Sequence, residues 1–182
     1  MAWISRNDYL NETEQQNNAT EFYNFFSALG WTVNALAGML GNIEVESTIN
    51  PGLWQSRNEG NLDGGFGLVQ WTPARNYIEW AGANYAEGNR QCERIIYELE
   101  NGLQYYPTAD YPLTFRGFSK STNPDIAYLV RTFEYNYERA GDPDIPLRES
   151  NGLKWFQFLS GLPPYAVVKK SKWIYYLKRR MF

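Results

Sequence analysis

Apolar residues recur at helical spacing along most of this chain. The first predicted helix begins at a capping pair, Asn11 and Glu14, and ends before Gly30. Its apolar face has the i, i+3, i+4, i+7 spacing of an amphipathic helix and consists of Phe22, Phe25, Phe26 and Leu29. The pattern therefore predicts a helix packed on a core through this face.

The same spacing predicts further helices. A second helix begins at the cap residue Thr32 and ends at about Glu46, before Asn50-Pro51-Gly52. Thr72-Pro73 is typical of the start of a third helix. Later helices are predicted around residues 91–101, 124–139 and 148–160. Cys92 lies on an apolar face of the first of these, which indicates a small core residue and not a reactive thiol.

Residues 53–71 follow a different pattern. Two strand-like runs, Leu53-Trp54-Gln55 and Phe66 to Trp71, flank a polar, glycine-rich turn from Ser56 to Gly65. This arrangement predicts a small β-hairpin lobe after the second helix. The predicted fold class is therefore α+β, mainly α.

The amino-acid composition limits which catalytic and metal-binding sites the chain can contain. The chain has 182 residues, a length that favours one domain, with one cysteine and no histidine. Catalytic groups built on Ser-His-Asp or Cys-His, His-ligated zinc sites and internal disulfides are thereby excluded. Carboxylates are plentiful, with 20 Asp and Glu residues. Aromatic residues make up 17% of the chain, which indicates a ring-rich core or, in part, a cleft suited to sugars.

Charge divides the chain in two. The net charge of −3 gives no global support for nucleic-acid binding. Residues 161–182 contain six basic residues and no acidic one. We therefore expect a folded domain over residues 1–160, followed by a Pro-containing linker and basic aromatic tail over 161–182. The tail is a candidate for contact with anionic wall polymer, a membrane surface or a partner subunit. We expect no signal peptide and no membrane span.

Glu46 is the strongest candidate for acid catalysis. A carboxyl group at the end of an apolar helix, beside Met39 and Ile43, has two reasons to hold its proton: burial and the partial negative charge of the helix C-terminus. A protonated glutamate is what a glycosidase needs to protonate a leaving oxygen. Glu44, two positions earlier, lies on another face and is predicted to face solvent.

A family resemblance rests on the same segment. Glu46-Ser47 followed by Gly67-Leu68-Val69-Gln70 resembles the Glu-Ser … Gly-Leu-x-Gln pattern of lytic transglycosylases and goose-type lysozymes. The longer run from Gly38 through Asn50-Pro51-Gly52-Leu53-Trp54-Gln55 to Pro73 is similar to the phage tail lysozyme domain, and Asn136-Tyr137-Glu138-Arg139 resembles a later motif of that family. The resemblance spans residues 1 to about 160.

The resemblance implies a lysozyme-like fold with a cleft between a helical lobe and a β-lobe. It implies cleavage of the β-1,4 bond between N-acetylmuramic acid and N-acetylglucosamine, with no metal or cofactor. Glu46 then matches the catalytic acid and Gln70 a cleft residue. Tyr137 matches a tyrosine that hydrogen-bonds the catalytic glutamate, with core packing as the alternative. Gln55 and Trp54 are candidate sugar contacts, or else they hold the hairpin together.

A second carboxylate is less well defined. Glu59 is the candidate for activating water or stabilising the transition state, with a solvated turn acid as the equal alternative, and Asp63 is more typical of a solvated turn. In lytic transglycosylases the substrate's own 6-hydroxyl replaces that group. The spacing does not choose between the two reactions, but the closer resemblance to the tail lysozymes favours hydrolysis. Glu134 and Glu138 are assigned to structural ion pairs, with Arg139 or Arg131 as partners.

These observations predict a peptidoglycan glycosidase carried on a virion, at the phage tail tip. Its expected partners are glycan strands of the bacterial wall and other phage tail proteins, and we expect synthesis in the host cytoplasm. The alternative is a non-catalytic tail component that keeps a lysozyme fold for wall binding or assembly. A third hypothesis is a membrane-active protein that works through the basic tail.

Overall fold

The computed structural model describes residues 2–163, and α-helices form most of this part of the chain. Within it the structure contains seven α-helices: α1 (Glu12–Ser27), α2 (Val33–Ser47), α3 (Ala74–Ala81), α4 (Gly88–Asn101), α5 (Phe115–Ser119), α6 (Ile126–Phe133) and α7 (Ile145–Ser160). A π-helical turn, Glu134–Glu138, follows α6 directly. The mainly helical part of the prediction is confirmed.

The predicted starts of the first two helices are confirmed by their caps. The Asn11 side chain accepts from the Glu14 amide at 3.1 Å, and the Glu14 side chain accepts from the Asn11 amide at 2.9 Å. Thr32 Oγ1 accepts from the Ala35 amide at 3.1 Å. These bonds satisfy amide groups that a helix leaves without partners in its first turn.

The prediction of Thr72 as the cap of the third helix was wrong. Helix α3 begins at Ala74 after Pro73, and the Thr72 hydroxyl donates instead to the carbonyl oxygen of Gln70. The short helix α5 was not predicted.

Helix α2 lies at the centre of the molecule. Residues 35–43 are all buried, so the helix has no solvent-facing side over this stretch. It packs chiefly on α7 and α6. The surrounding core is rich in fully buried rings, including Phe22, Phe26, Phe66, Tyr77, Phe133 and Trp155. Most of the aromatic residues thus serve the core, as the sequence indicates.

Two glycines allow α2 and α7 to approach closely. A Cβ atom added to Gly41 would lie 2.6 Å from the carbonyl oxygen of Arg148 and 2.9 Å from the Cα of Gly152. Both distances are shorter than van der Waals contact, and the atoms met are backbone atoms that cannot rotate away. The close approach brings the α7 residue Arg148 to the end of α2.

Gly41→Ala is expected to lower the free energy of unfolding by about 1–3 kcal/mol. The overlap with α7 outweighs the gain of about 1 kcal/mol that alanine gives to a helix interior. Urea unfolding measures the difference. Gly141→Ala is the control, because nothing lies within 4 Å of an added Cβ there. Equal stability of the Gly41→Ala and wild-type proteins would contradict the close approach.

The predicted β-hairpin lobe does not form within the described residues. Trp54 and Phe66, and Phe66 and Trp71, make only isolated antiparallel bridges. Backbone φ is positive at Ser56, Arg57, Gly60, Gly67 and Gln70, so the segment turns repeatedly instead of extending. Residues 64–69 are all buried, with no alternation of buried and exposed positions. Short runs that are buried throughout are apolar throughout, and such runs resemble buried strands in a sequence.

The basic tail predicted over residues 161–182 lies, from residue 164 onward, outside the described residues. Its proposed contacts and the domain boundary therefore stay predictions. Among the helices of residues 2–163, none is long and apolar enough to cross a membrane.

Candidate functional site

The last turn of α2 carries Glu46 to the segment that contains Gln70. α2 ends at Ser47, and Thr48 follows in the left-handed conformation with φ of 54°. Ser47 Oγ donates to the carbonyl oxygen of Leu68 at 2.9 Å. This buried bond joins the helix end to residues 67–70, so the two motifs that the sequence singled out are neighbours.

Glu46 is held by an ion pair. Its Oε1 accepts from Arg148 Nη2 at 2.6 Å, and 19% of the Glu46 side chain is exposed against 3% for Arg148. A buried guanidinium beside a carboxylate forms a strong charge-assisted hydrogen bond. The sequence predicted an acid held among apolar neighbours, whereas the structure places a cation from α7 against it. No sequence signal marked Arg148 as this partner.

Glu44 does not face solvent, so the prediction for this residue was wrong. Its carboxylate accepts from Lys154 Nζ at 2.6 Å and from Trp155 Nε1 at 2.7 Å. The Glu44 side chain is 15% exposed, close to the value for Glu46. Both glutamates reach α7 because that helix covers the C-terminal half of α2.

Arg148 also contacts a second carboxylate. Its Nη1 lies 3.1 Å from Glu134 Oε2, and this glutamate is 1% exposed. Burial raises the pKa of Glu134, and the charge of Arg148 opposes the rise. The structural interpretation of Glu134 therefore fits the structure, but its partner is Arg148 and neither Arg131 nor Arg139.

The expected ion pair of Glu138 is absent from the described residues. Glu138 forms no ion pair or hydrogen bond there, and its Oε1 is buried without a partner. Of the two cations predicted to pair with it, Arg131 pairs with Glu149. Arg139 donates to the carbonyl oxygens of Gln104 and Asn136.

Gln70 lies half-buried on the wall of a cavity. Its Nε2 donates to the carbonyl oxygens of Leu53 and Gly67 at 3.1 and 3.0 Å. The cavity has a volume of about 170 Å³, and its polar wall includes Gln70, Asn76, Arg94, Glu98 and Gln104. Glu46 is not among the residues that line it. The substrate-binding role of Gln70 stays a prediction.

Tyr137 is fully buried, and its hydroxyl donates to Glu98 Oε2 at 2.5 Å. The glutamate that it contacts is therefore Glu98 and not Glu46. Glu98 also accepts from Trp71 Nε1 at 2.9 Å and from Arg94 Nε at 2.8 Å. Burial raises the pKa of Glu98, and these three donors oppose the rise. The arrangement favours core packing as the role of Tyr137.

The other candidate contacts lie in the turn region. Gln55 is exposed, and its Oε1 accepts from the Gly65 amide at 2.9 Å, which favours a role in holding the turn together. Trp54 is 5% exposed and packs on Phe66, with ring centroids 4.7 Å apart. That burial leaves little of the indole surface for a sugar.

Glu59 lies exposed in the turn that follows Gln55–Arg57. Its carboxylate makes no hydrogen bond or ion pair with another described residue, and no contact joins it to Glu46. Asp63, also exposed, forms a surface ion pair with Arg75. The catalytic role of Glu59 stays a prediction.

Comparison with known proteins identifies the family. The model of the phage tail lysozyme family matches residues 17–159. Morphogenesis protein 1 of Bacillus phage B103 is 42% identical over 162 residues, which cover 87% of this chain and 44% of that protein. The chain thus spans less than half the length of this relative. The family match covers both Glu46 and Gln70, and the chain belongs to the phage tail lysozyme family.

Proposed function

We propose that the chain is a peptidoglycan glycosidase that cleaves the β-1,4 bond between N-acetylmuramic acid and N-acetylglucosamine. The observation that carries the proposal is the position of Glu46. It lies at the end of α2, beside the segment Gly67–Gln70 and within the residues that the family model matches. Delivery by a virion at the phage tail is part of the same proposal.

In the proposed reaction Glu46 donates a proton to the glycosidic oxygen as the bond to the muramyl C1 breaks. Glu59 is the candidate for stabilising the positive charge that develops on the sugar ring. Water or the substrate's own 6-hydroxyl then attacks C1 and returns a proton to the site. In the first case the product has a reducing end, and in the second a 1,6-anhydro end.

The ion pair with Arg148 bears on this mechanism. Arg148 donates to Oε1 of Glu46, so in the proposed reaction the proton for the glycosidic oxygen is carried by the other oxygen, Oε2.

Mass spectrometry of the products from purified peptidoglycan tests the function. We expect soluble muropeptides from the wild-type protein. Reducing ends would identify hydrolysis and keep Glu59 as the candidate that activates water. Anhydro ends would identify a lytic transglycosylase and free Glu59 from that role. No products, under conditions where a control lysozyme releases them, would contradict the proposal.

A second candidate function is a non-catalytic tail component. The name of the phage B103 relative, a morphogenesis protein, favours this alternative. Binding to purified walls or to tail proteins without release of fragments would support it.

A further inference from the structure

The cavity beside Gln70 has room for a small polar group. Its volume of about 170 Å³ is below the roughly 300–1,000 Å³ of pockets that enclose a whole ligand. A substituent of a larger molecule fits such a space better than a complete disaccharide. Part of the wall is aromatic, because Trp71 and Tyr77 line it and their rings stack with centroids 4.4 Å apart.

Arg94 brings unused hydrogen-bond donors to this wall. Its Nε donates to Glu98 Oε1 at 2.8 Å, while Nη1 and Nη2 have no acceptor within residues 2–163. The guanidinium carbon lies 5.3 Å from the ring centroids of both Trp80 and Tyr97. The Arg94 side chain is only 15% exposed, so bulk water has little access to it. A polar ligand in the cavity would supply the acceptors that these donors lack.

Glu98 fixes the direction of the guanidinium group. Its side chain is 1% exposed, and besides the bond from Arg94 it accepts from Trp71 Nε1 at 2.9 Å and from the Tyr137 hydroxyl at 2.5 Å. Glu98 is thus held in place by its neighbours and engages Arg94 through Nε alone. The other edge of the guanidinium, formed by Nη1 and Nη2, can donate to both oxygens of one carboxylate.

Two glutamines on the same wall have an unusual backbone conformation. The angle φ is 47° at Gln70 and 62° at Gln104, in the left-handed region that residues other than glycine rarely adopt. Such residues cluster at ligand-binding sites. Gln104 Nε2 donates to the carbonyl oxygen of Tyr137 at 2.9 Å, and Gln70 Nε2 also donates to backbone carbonyls. In both side chains Oε1 is left as an acceptor for N–H groups of a ligand.

The cavity adjoins the chain segment that contacts the Glu46 helix. Ser47, the residue after Glu46, donates to the carbonyl oxygen of Leu68, and the next residue, Val69, lines the cavity. In peptidoglycan each muramyl residue carries a lactyl group, and a short peptide with free carboxylates is attached to it. A glycan bound at Glu46 therefore has an anionic substituent on the sugar that the cavity would meet.

We propose that the cavity binds a carboxylate of the peptide stem of peptidoglycan. Nη1 and Nη2 of Arg94 donate to the carboxylate, and Oε1 of Gln70 and of Gln104 accept from peptide N–H groups beside it. This inference rests on the proposed function, because it concerns the same substrate.

A matched pair of muropeptides tests the cavity without any cleavage. The first probe is N-acetylglucosaminyl-N-acetylmuramic acid with the stem L-alanyl-D-isoglutamate, and the second is the same compound with both stem carboxylates amidated. Neither contains the bond that the proposed enzyme cleaves. By calorimetry we expect the wild-type protein to bind the first probe about tenfold more tightly than the second. Equal affinities would overturn the proposal. Displacement of the first probe by an equal concentration of inorganic phosphate would identify a general anion site and would also overturn it.

Arg94→Lys tests the guanidinium. Lysine keeps a cation for Glu98 but has no planar pair of donors for a carboxylate. We expect the variant to bind the two probes with nearly equal affinity. A wild-type preference in Arg94→Lys would show that Arg94 serves only its pair with Glu98, and it would overturn the proposal.

Asn76→Asp separates ligand binding from folding. Asn76 lines the cavity from the first turn of α3, is exposed, and makes no side-chain hydrogen bond with a described residue. An aspartate suits a helix N-terminus but repels the carboxylate of the probe. We expect the preference for the first probe to fall by about threefold or more, with an unchanged midpoint of thermal unfolding. Asn84→Asp, the same substitution at an exposed position outside the cavity wall, should keep the wild-type preference. An unchanged preference in Asn76→Asp would contradict the proposal.

The two proposals fail in different ways. If the wild-type protein releases glycan fragments but binds the two probes equally, the glycosidase function is supported and the peptide-stem site is overturned. If it prefers the first probe, loses that preference in Arg94→Lys and releases no fragments, the peptide-stem site is supported and the glycosidase function is wrong.

Discussion

Glu46→Gln is expected to keep the fold and to slow glycan cleavage by a factor of about 10² to 10⁴. An amide has no acidic proton to give to the glycosidic oxygen. Its Oε1 can still accept from Arg148, which donates to this atom at 2.6 Å in the wild type, so the contact between α2 and α7 is kept. The rate of fragment release measures the loss, and circular dichroism with thermal unfolding measures the fold.

Glu44→Gln is a closely matched control. Glu44 belongs to the same helix, is 15% exposed against 19% for Glu46, and also accepts hydrogen bonds from α7. Its partners are Lys154 and Trp155. We expect this variant to cleave glycan at nearly the wild-type rate. Equal losses in the two variants would show that the α2–α7 contact, and not acid catalysis, controls activity.

Arg148→Met is expected to lower the free energy of unfolding by about 3–5 kcal/mol. The arginine is 3% exposed and lies within ion-pair distance of Glu46 and Glu134. Methionine fills part of the volume but leaves two carboxylates without their cation in a poorly hydrated place. For a domain of this size the midpoint of thermal unfolding should fall by about 10 °C.

The deficit in the free energy of unfolding that Arg148→Met causes should also depend on pH. Burial raises the pKa of Glu134 above 4.5, and Arg148 opposes that rise, so the variant should hold the proton on Glu134 to still higher pH. A group whose pKa is higher in the folded state than in the unfolded state stabilises the protein at pH values below its unfolded-state pKa. This stabilisation is lost as pH rises through its folded-state pKa. The deficit should therefore be larger at pH 7 than near pH 4.5.

Arg131→Met provides the comparison for Arg148. Arg131 joins α6 to Glu149 of α7, but the two side chains are 31% and 26% exposed. Water and salt screen such a pair, so we expect a loss below about 1 kcal/mol. Similar losses for the two arginines would contradict the view that burial makes Arg148 important.

The helices were predictable because their signals are local. The cap at Asn11 and the apolar faces of α1, α2 and α4 depend on residues within one or two turns of each other. The turn region was not predictable in the same way. Its glycines and left-handed residues fold two apolar runs into a buried loop, and burial on both sides removes the alternation by which a strand is recognised.

The candidate site was predictable only in part. The motifs indicated Glu46 and Gln70, and the structure brings their segments together through Ser47. The role of α7 was missed, because Arg148 belongs to no motif and pairs with residues far away in the sequence. The same reason explains the errors for Glu44 and for the partner of Glu134: a charged residue on a helix does not reveal which distant helix it meets.

Arg148 lies 102 residues after Glu46, and this separation has a consequence for how the protein folds. Closing so long a loop costs conformational entropy before the contact between α2 and α7 forms and offsets that cost. Contacts of this kind therefore form slowly. During synthesis on a ribosome, Glu46 is made early, and its contact with Arg148 cannot form until α7 has emerged. The ion pairs of Arg148 with Glu46 and Glu134 therefore form only when nearly all of the family domain has left the ribosome.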